Sequence, residues 1–259
     1  MSNQGYDPIL VGYGDFGNDW RALPERDPLL QDSDGGPVPG MTPLMPWNHM
    51  AGHAIAWCDF MEDQGYEVPE HMYKSFYDLR GQYESDPAAV AAGYPEPAFY
   101  ATEHSDTAFA VNSVIRYVRS VRGNRSRILG APGWALHLSL LKPHPPWIAP
   151  APYNTMYHPD DVDPPVRADG GPAAEAAAHP WLQMHLKELV AGGAEAIAQH
   201  NANFKRDRAL YYGLVSETDA HLGRLFDYLR DSGELDRTLI IFSADHGEQC
   251  AVQLRTACA

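Results

Sequence analysis

Residues 238–249 read TLIIFSADHGEQ, from Thr238 to Gln249. Leu239, Ile240, Ile241 and Phe242 follow one another with no polar side chain between them. A short all-apolar run suits a central parallel strand, which is buried on both faces and so shows no alternation. Asp245, His246 and Gly247 stand just beyond it. In open α/β sheets ligands bind outside the carboxyl ends of the strands, so this pair occupies a position where chemistry is often placed. One carboxylate beside one imidazole offers a hard and a borderline donor for a divalent cation. A glycine after them permits a sharp turn that no Cβ obstructs. Taken alone, an Asp-His pair reads more simply as a solvated turn with a helix-capping Asp.

Working outward from that run, a long helix is expected over about Asn203 to Ser232. Leu210, Leu214, Leu222, Leu225, Phe226 and Leu229 share one face, and Gly233 serves as the C-cap. Glu217 and Asp219 are assigned to its polar face, and His179, His185 and His200 to a solvated helical stretch. Upstream, Trp134 to Leu141 alternates as a strand does and runs into Lys142-Pro143-His144-Pro145-Pro146-Trp147. The prolines stop the strand and hold the backbone extended, leaving His144 braced between them. Without further context His144 reads more simply as an exposed loop residue. Ser105 or Asp106 can cap a helix over Phe109, Val111, Val114, Ile115 and Val118 that ends near Gly123. His104 is more simply part of that helix start than a ligand. The first strand is Ile9 to Tyr13, closed by Gly14 and Asp15.

Between these elements the chain is irregular. Residues from Gly17 to about Pro46 read as a surface loop, and 47–100 as an insertion with short helices. Its aromatics, among them Trp57, Tyr66, Tyr73, Phe76, Tyr77, Phe99 and Tyr100, are more consistent with packing than with a carbohydrate platform. Strand, helix and strand in this order predict an α/β fold with a mostly parallel sheet flanked by helices. The expected organisation is one domain over 1–249, loop-rich over about 17–100, followed by a tail at 250–259.

The formal net charge of −15 disfavours nucleic acid and anionic membranes, both of which need a basic surface. A protein this acidic that handles an anionic ester must concentrate positive charge locally, through a metal or a few Lys, Arg and His side chains. Cys58, Cys250 and Cys258 give no paired framework and read as free thiols of a reducing compartment. The opening MSNQGYDPIL has no basic-then-apolar leader, and no apolar run approaches the ~20 residues of a membrane span. A cytoplasmic chain is the expectation, with no nucleic acid and no membrane as partners and room for a homo-oligomer.

The stretch 211–249, YYGLVSETDAHLGRLFDYLRDSGELDRTLIIFSADHGEQ, resembles the sulfatase branch of the alkaline phosphatase superfamily. WALHLSLLKPHPPWIAPAP at 134–152 is similar to that family's strand followed by a Pro-His-x-Pro loop. The loop's wording, the segment from Glu103, and DDVDPPVR at 160–167 resemble phosphonate monoester hydrolases most. The match covers most of the chain and is poorest over about 20–95. It implies an alkaline-phosphatase-like fold and hydrolysis of sulfate, phosphate or phosphonate monoesters with a divalent ion such as Mn²⁺ or Ca²⁺. It implies Asp245 and His246 as metal ligands, His144 as a donor to an ester oxygen, Lys142 as an aid to the same anion, and Tyr13 as a substrate contact. Gly14 stands where some relatives carry a hydroxyl.

The family's nucleophile is a formylglycine made from the Cys or Ser of Cys/Ser-x-Pro-x-Arg, and these 259 residues contain no such motif. The resemblance therefore implies a central piece incomplete at both ends, beginning downstream of the first metal-binding strand and the nucleophile. After Gln249 the tail CAVQLRTACA leaves the resemblance abruptly, as an altered or prematurely ended reading frame would. The alternative to an active hydrolase is an inactive remnant that at most binds an anion.

Overall fold

Strand β1 (Pro8–Tyr13) lies between two parallel neighbours, β2 (Thr42–Trp47) and β3 (Ala135–Ser139), in the order β2-β1-β3. This is a computed structural model, and it describes residues 8–13, 41–47, 56–68, 95–125, 134–145, 147–163 and 169–247. Ile9, Leu10 and Val11 are buried in succession, the pattern of a strand covered on both faces. The register runs from Pro8 opposite Ala135 to Gly12 opposite Ser139, so β1 and β3 end side by side. β3 is three residues shorter than its alternating pattern suggested, and His137 is its exposed position.

β2 corrects the sequence reading, which placed residues 17–46 in a loop. TPLMPW carries two prolines and no alternation, so it looks like a turn. It serves as an edge strand, where a missing N–H can face away from the ladder. Its register against β1 slips between Leu10 and Val11, and Met45 is buried. Gly14, Asp15, the loop readings over 17–40, Tyr73, Phe76, Tyr77, Tyr94 and the tail 250–259 lie outside the described residues.

The chain divides into two units, residues 1–82, 99–142 and 218–239, and residues 83–98, 143–217 and 240–259. In the first, helix α1 (Ala56–Asp63) buries Trp57, Cys58 and Met61. Its aromatics pack as expected. Trp57 meets Tyr100 edge-on at 5.6 Å between ring centroids and donates its indole N–H to the carbonyl of His104 at 2.8 Å. Helix α2 (Asp106–Arg125) begins where Ser105 Oγ accepts from the amide of Ala108 at 3.1 Å, the N-cap geometry the sequence suggested. Its face of Ala108, Val111, Val114 and Val118 is buried.

Helix α4 (Pro180–Asp231), preceded by α3 (Gly171–Ala178), starts well before the expected Asn203 and is broken at Gly193, whose φ is 62°. Residues 180–217 belong to the second unit and 218–231 to the first. The end is the expected one. Gly233 takes a φ of 70°, its amide donates to Arg230 and the amide of Glu234 to Leu229, the double bond of a Schellman cap. The Glu234 carboxylate, 5% exposed, then accepts from Arg122 at 3.1 Å and Arg237 at 2.8 Å. In the second unit, Leu210 and Leu214 pack with Ala149, joined by Trp147 and Tyr153. Gly213 lets this strap approach, since a Cβ there would lie 2.3 Å from the carbonyl oxygen of Tyr153.

Two sequence expectations are overturned here. The run Thr238–Ser243 is not a strand: among the described residues nothing pairs with it, and Leu239, Ile241 and Phe242 are 80–85% exposed. An apolar run becomes a strand only when a neighbouring strand accepts its backbone bonds, and among the described residues β1 pairs with β2 and β3 and no strand pairs with this run. Glu217, assigned to the polar face, is 1% exposed. Its spacing explains this: 210, 214, 217, 221, 225 and 229 recur at the helical three-four interval, so Glu217 and His221 share the stripe of the leucines.

Candidate functional site

Parallel pairing brings two of the five singled-out residues to one edge. Tyr13 is the last residue of β1, and Lys142 follows β3 by three positions, at the same carboxyl side of the sheet. Gly12, with a φ of 100°, makes the close approach possible: a Cβ there would stand 1.8 Å from the carbonyl oxygen of Ser139. Gly12 and Ser139 line a small hollow with Asp106, Thr107, Leu140 and Leu141. Lys142 is 4% exposed, an unusual burial for a side chain of its kind.

Asp106 and Thr107, in the first turn of α2, are polar side chains lining that hollow and were read only as part of a helix start. They are 4% and 2% exposed, and among the described residues one carboxylate oxygen of Asp106 and the hydroxyl of Thr107 have no hydrogen-bond partner. Burial pushes the Asp106 carboxyl up from the usual carboxylate range, while the charge of Lys142 and the amides of residues 106 and 107 pull it back down. No signal in the sequence separates a first turn that is solvated from one that is enclosed.

The other three residues belong to the second unit and are open to solvent. Asp245 and His246 contact one another. The carboxylate accepts from the amide of His246 at 2.8 Å and lies 3.4 Å from its Nε2, while Nδ1 is 2.9 Å from the carbonyl of Gly247. Their side chains are 86% and 71% exposed. The ring of His144 is turned to the carbonyl of its neighbour Pro145, at 2.6 Å from Nδ1. No group of three or more His, Cys, Asp or Glu side chains suited to a metal occurs among the described residues. Two donors are of the right chemistry for a divalent ion but too few to hold one, which takes four to six or more ligands. A metal is therefore not supported by the described residues alone.

Elsewhere on the helices, the ring of His104 meets the hydroxyl of Tyr66 at 2.9 Å, in keeping with its reading as part of a helix start. His221 is buried beside Arg224, whose Nη1 lies 3.1 Å from its Nδ1 and whose Nη2 donates to Asn112 at 2.6 Å. Among the described residues no helix is long and apolar enough to cross a membrane.

A parallel sheet flanked by helices is an α/β architecture, and its structural neighbours make it alkaline-phosphatase-like. The sulfatase family profile matches residues 60–256, and the chain belongs to that family. It is 34% identical over 256 residues to the multifunctional alkaline phosphatase superfamily protein PehA of Trinickia caryophylli, covering 95% of this chain and 45% of that protein. An arylsulfatase of Clostridium perfringens is 27% identical over 115 residues, 44% of this chain and 22% of that one. The fold is similar to phosphonate monoester hydrolase SpPMH from Silicibacter pomeroyi, with a TM-score of 0.71 and 29% identity over 91% of this chain and 44% of that one. The enzyme of that name from Agrobacterium radiobacter gives 0.67 and 28% over the same shares. The chain thus spans less than half the length of these relatives.

Proposed function

We propose that this chain carries part of the site of a metal-dependent hydrolase acting on sulfate, phosphonate or phosphate monoesters. Membership of the sulfatase family supports this reading most strongly, because an Asp-His-Gly beyond an apolar run and a proline-braced histidine occur together in a chain of that family. In this reading Asp245 and His246 are two ligands of a divalent ion, Mn²⁺ or Ca²⁺ being suitable, and the remaining donors come from outside the described residues. Bound there, such an ion would neutralise ester oxygens that otherwise repel a nucleophile. His144 donates an imidazole N–H to an ester oxygen as charge builds on it, and Tyr13 contributes at the carboxyl end of β1. Lys142 enters as local positive charge within an acidic protein, since its burial keeps it from open solvent.

A second reading has its own support. The 259 residues hold no Cys/Ser-x-Pro-x-Arg, so this polypeptide taken alone has no formylglycine precursor of the family's kind and would bind an anion without turning it over. Aryl sulfate and phosphonate monoesters, assayed with and without Mn²⁺ or Ca²⁺, separate the two. Metal-dependent turnover abolished by His246→Ala supports the hydrolase. No turnover with any metal supports the binding-only form.

A further inference from the structure

The first turn of the 20-residue helix α2 is where an anion would be expected beside β1 and β3, because the leading amides of a helix point at such a ligand. Here those amides are taken. The Ala108 amide donates to Ser105 Oγ at 3.1 Å and the Phe109 amide to the Ser105 carbonyl at 2.9 Å. The amides of residues 106 and 107 donate to the Asp106 carboxylate. What the hollow still offers is one carboxylate oxygen of Asp106 and the hydroxyl of Thr107. Both side chains are more than nine-tenths buried, and neither oxygen is bonded among the described residues. Ala110, Leu140 and Leu141 supply apolar wall. The space matches a molecule the size of one water. Buried polar atoms of this kind are nearly always paired, with protein or with ordered solvent.

We propose that this hollow is a binding site for a single water molecule, held by the Asp106 carboxyl and the Thr107 hydroxyl between β1, β3 and the start of α2, and that it excludes phosphate and sulfate oxygens. A neutral molecule suits the pair. An ionised carboxylate accepts from water, a protonated one donates to it, and the Thr107 hydroxyl does either. An oxyanion would instead face a carboxylate, with no amide of the helix start left to receive it. Lys142, whose charge reaches Asp106, is not one of the residues lining the hollow. The proposal does not depend on the hydrolase reading, which gives neither Asp106 nor Thr107 a part.

A crystal structure of the full chain grown with inorganic phosphate, at a resolution that shows ordered solvent, tests it directly. One solvent peak should lie about 2.6–3.2 Å from both the free Asp106 oxygen and Thr107 Oγ1. A dry hollow, phosphate within it, or a water bonded to only one of the two overturns the proposal. Urea unfolding gives an independent reading through the sign of one substitution. Thr107→Val keeps the shape and removes the hydroxyl, so with a bound water it should lower the folding equilibrium constant about threefold to tenfold. In a dry hollow the same change exchanges an unpaired buried hydroxyl for a methyl, and unchanged or higher stability overturns the proposal. Thr107→Ser retains the hydroxyl, and its crystal structure should retain the peak; loss of the peak overturns the assignment. If Thr107→Val fails to fold, the solvent peak in the parent decides.

Discussion

Replacing Gly12 by alanine should unfold the edge of the sheet, and the cost can be worked from two separate penalties. The first is conformational. At a φ of 100° an L side chain is strained, by about 1–2 kcal/mol for a left-handed residue. The second is steric. The new Cβ would lie 1.8 Å from the carbonyl oxygen of Ser139, which is backbone and cannot rotate away. To reach ordinary contact the two strands must part by about 1.5 Å. That separation weakens the β1–β3 ladder by about 1 kcal/mol for each hydrogen bond lost and adds the 1–3 kcal/mol typical of overpacking. The expected loss is about 3–5 kcal/mol, a large share of the ~5–15 kcal/mol that holds most domains. Gly65→Ala is the internal control, with a φ of 87° and nothing within 4 Å of the added Cβ. It carries the first penalty without the second and should cost about 1–2 kcal/mol. Both are measured by urea unfolding followed by circular dichroism, comparing midpoints at equal slope. If the two variants lose the same stability within about 0.5 kcal/mol, the close approach of β1 and β3 at Gly12 is wrong.

Three further outcomes follow from other parts of the fold. Ser105→Ala removes the side-chain acceptor of the Ala108 amide and should cost about 1 kcal/mol in urea unfolding, with Ser105→Thr retaining most of the stability. Leu214→Ala empties a fully enclosed position beside Ala149 and Leu210 and should cost about 2–5 kcal/mol, whereas Ile241→Ala, at a position 80% exposed, should shift the unfolding midpoint by less than about 0.5 kcal/mol. His221 is held below the usual imidazole range first by burial and then by the adjacent Arg224, against smaller opposing effects of the Thr102 backbone and Glu103. Its folded form therefore favours the neutral ring. The stability it contributes is present above the ordinary imidazole range and is lost as pH falls through it, so His221→Gln should flatten the stability profile on the acid side of about pH 6.5.

How much of this was legible in the sequence depends on whether a segment's fate is decided locally. The helix at 106–125, its Ser105 cap and the Gly233 ending were readable because caps and helical period act within a few residues. β1 was readable because three consecutive buried apolar residues leave few alternatives. β2 was not, since Pro43 and Pro46 signal a turn unless one already knows that the strand lies at an edge. The run at 238–243 shows the opposite failure. Its composition announces a strand, but strand formation is a property of two segments, and composition describes one. The same reasoning separates the site residues. That Asp245 and His246 lie next to each other is written in the chain, whereas the hollow that Asp106 lines with Gly12 and Ser139 depends on the β1–β3 register, which no single segment encodes. Glu217 and His221 are the intermediate case: their three-four spacing with Leu214 and Leu225 placed them on the buried stripe, and only their polarity argued otherwise. Where spacing and polarity disagree on a helix, spacing decides the face, and the buried polar group that results is the first place to look for a role beyond packing.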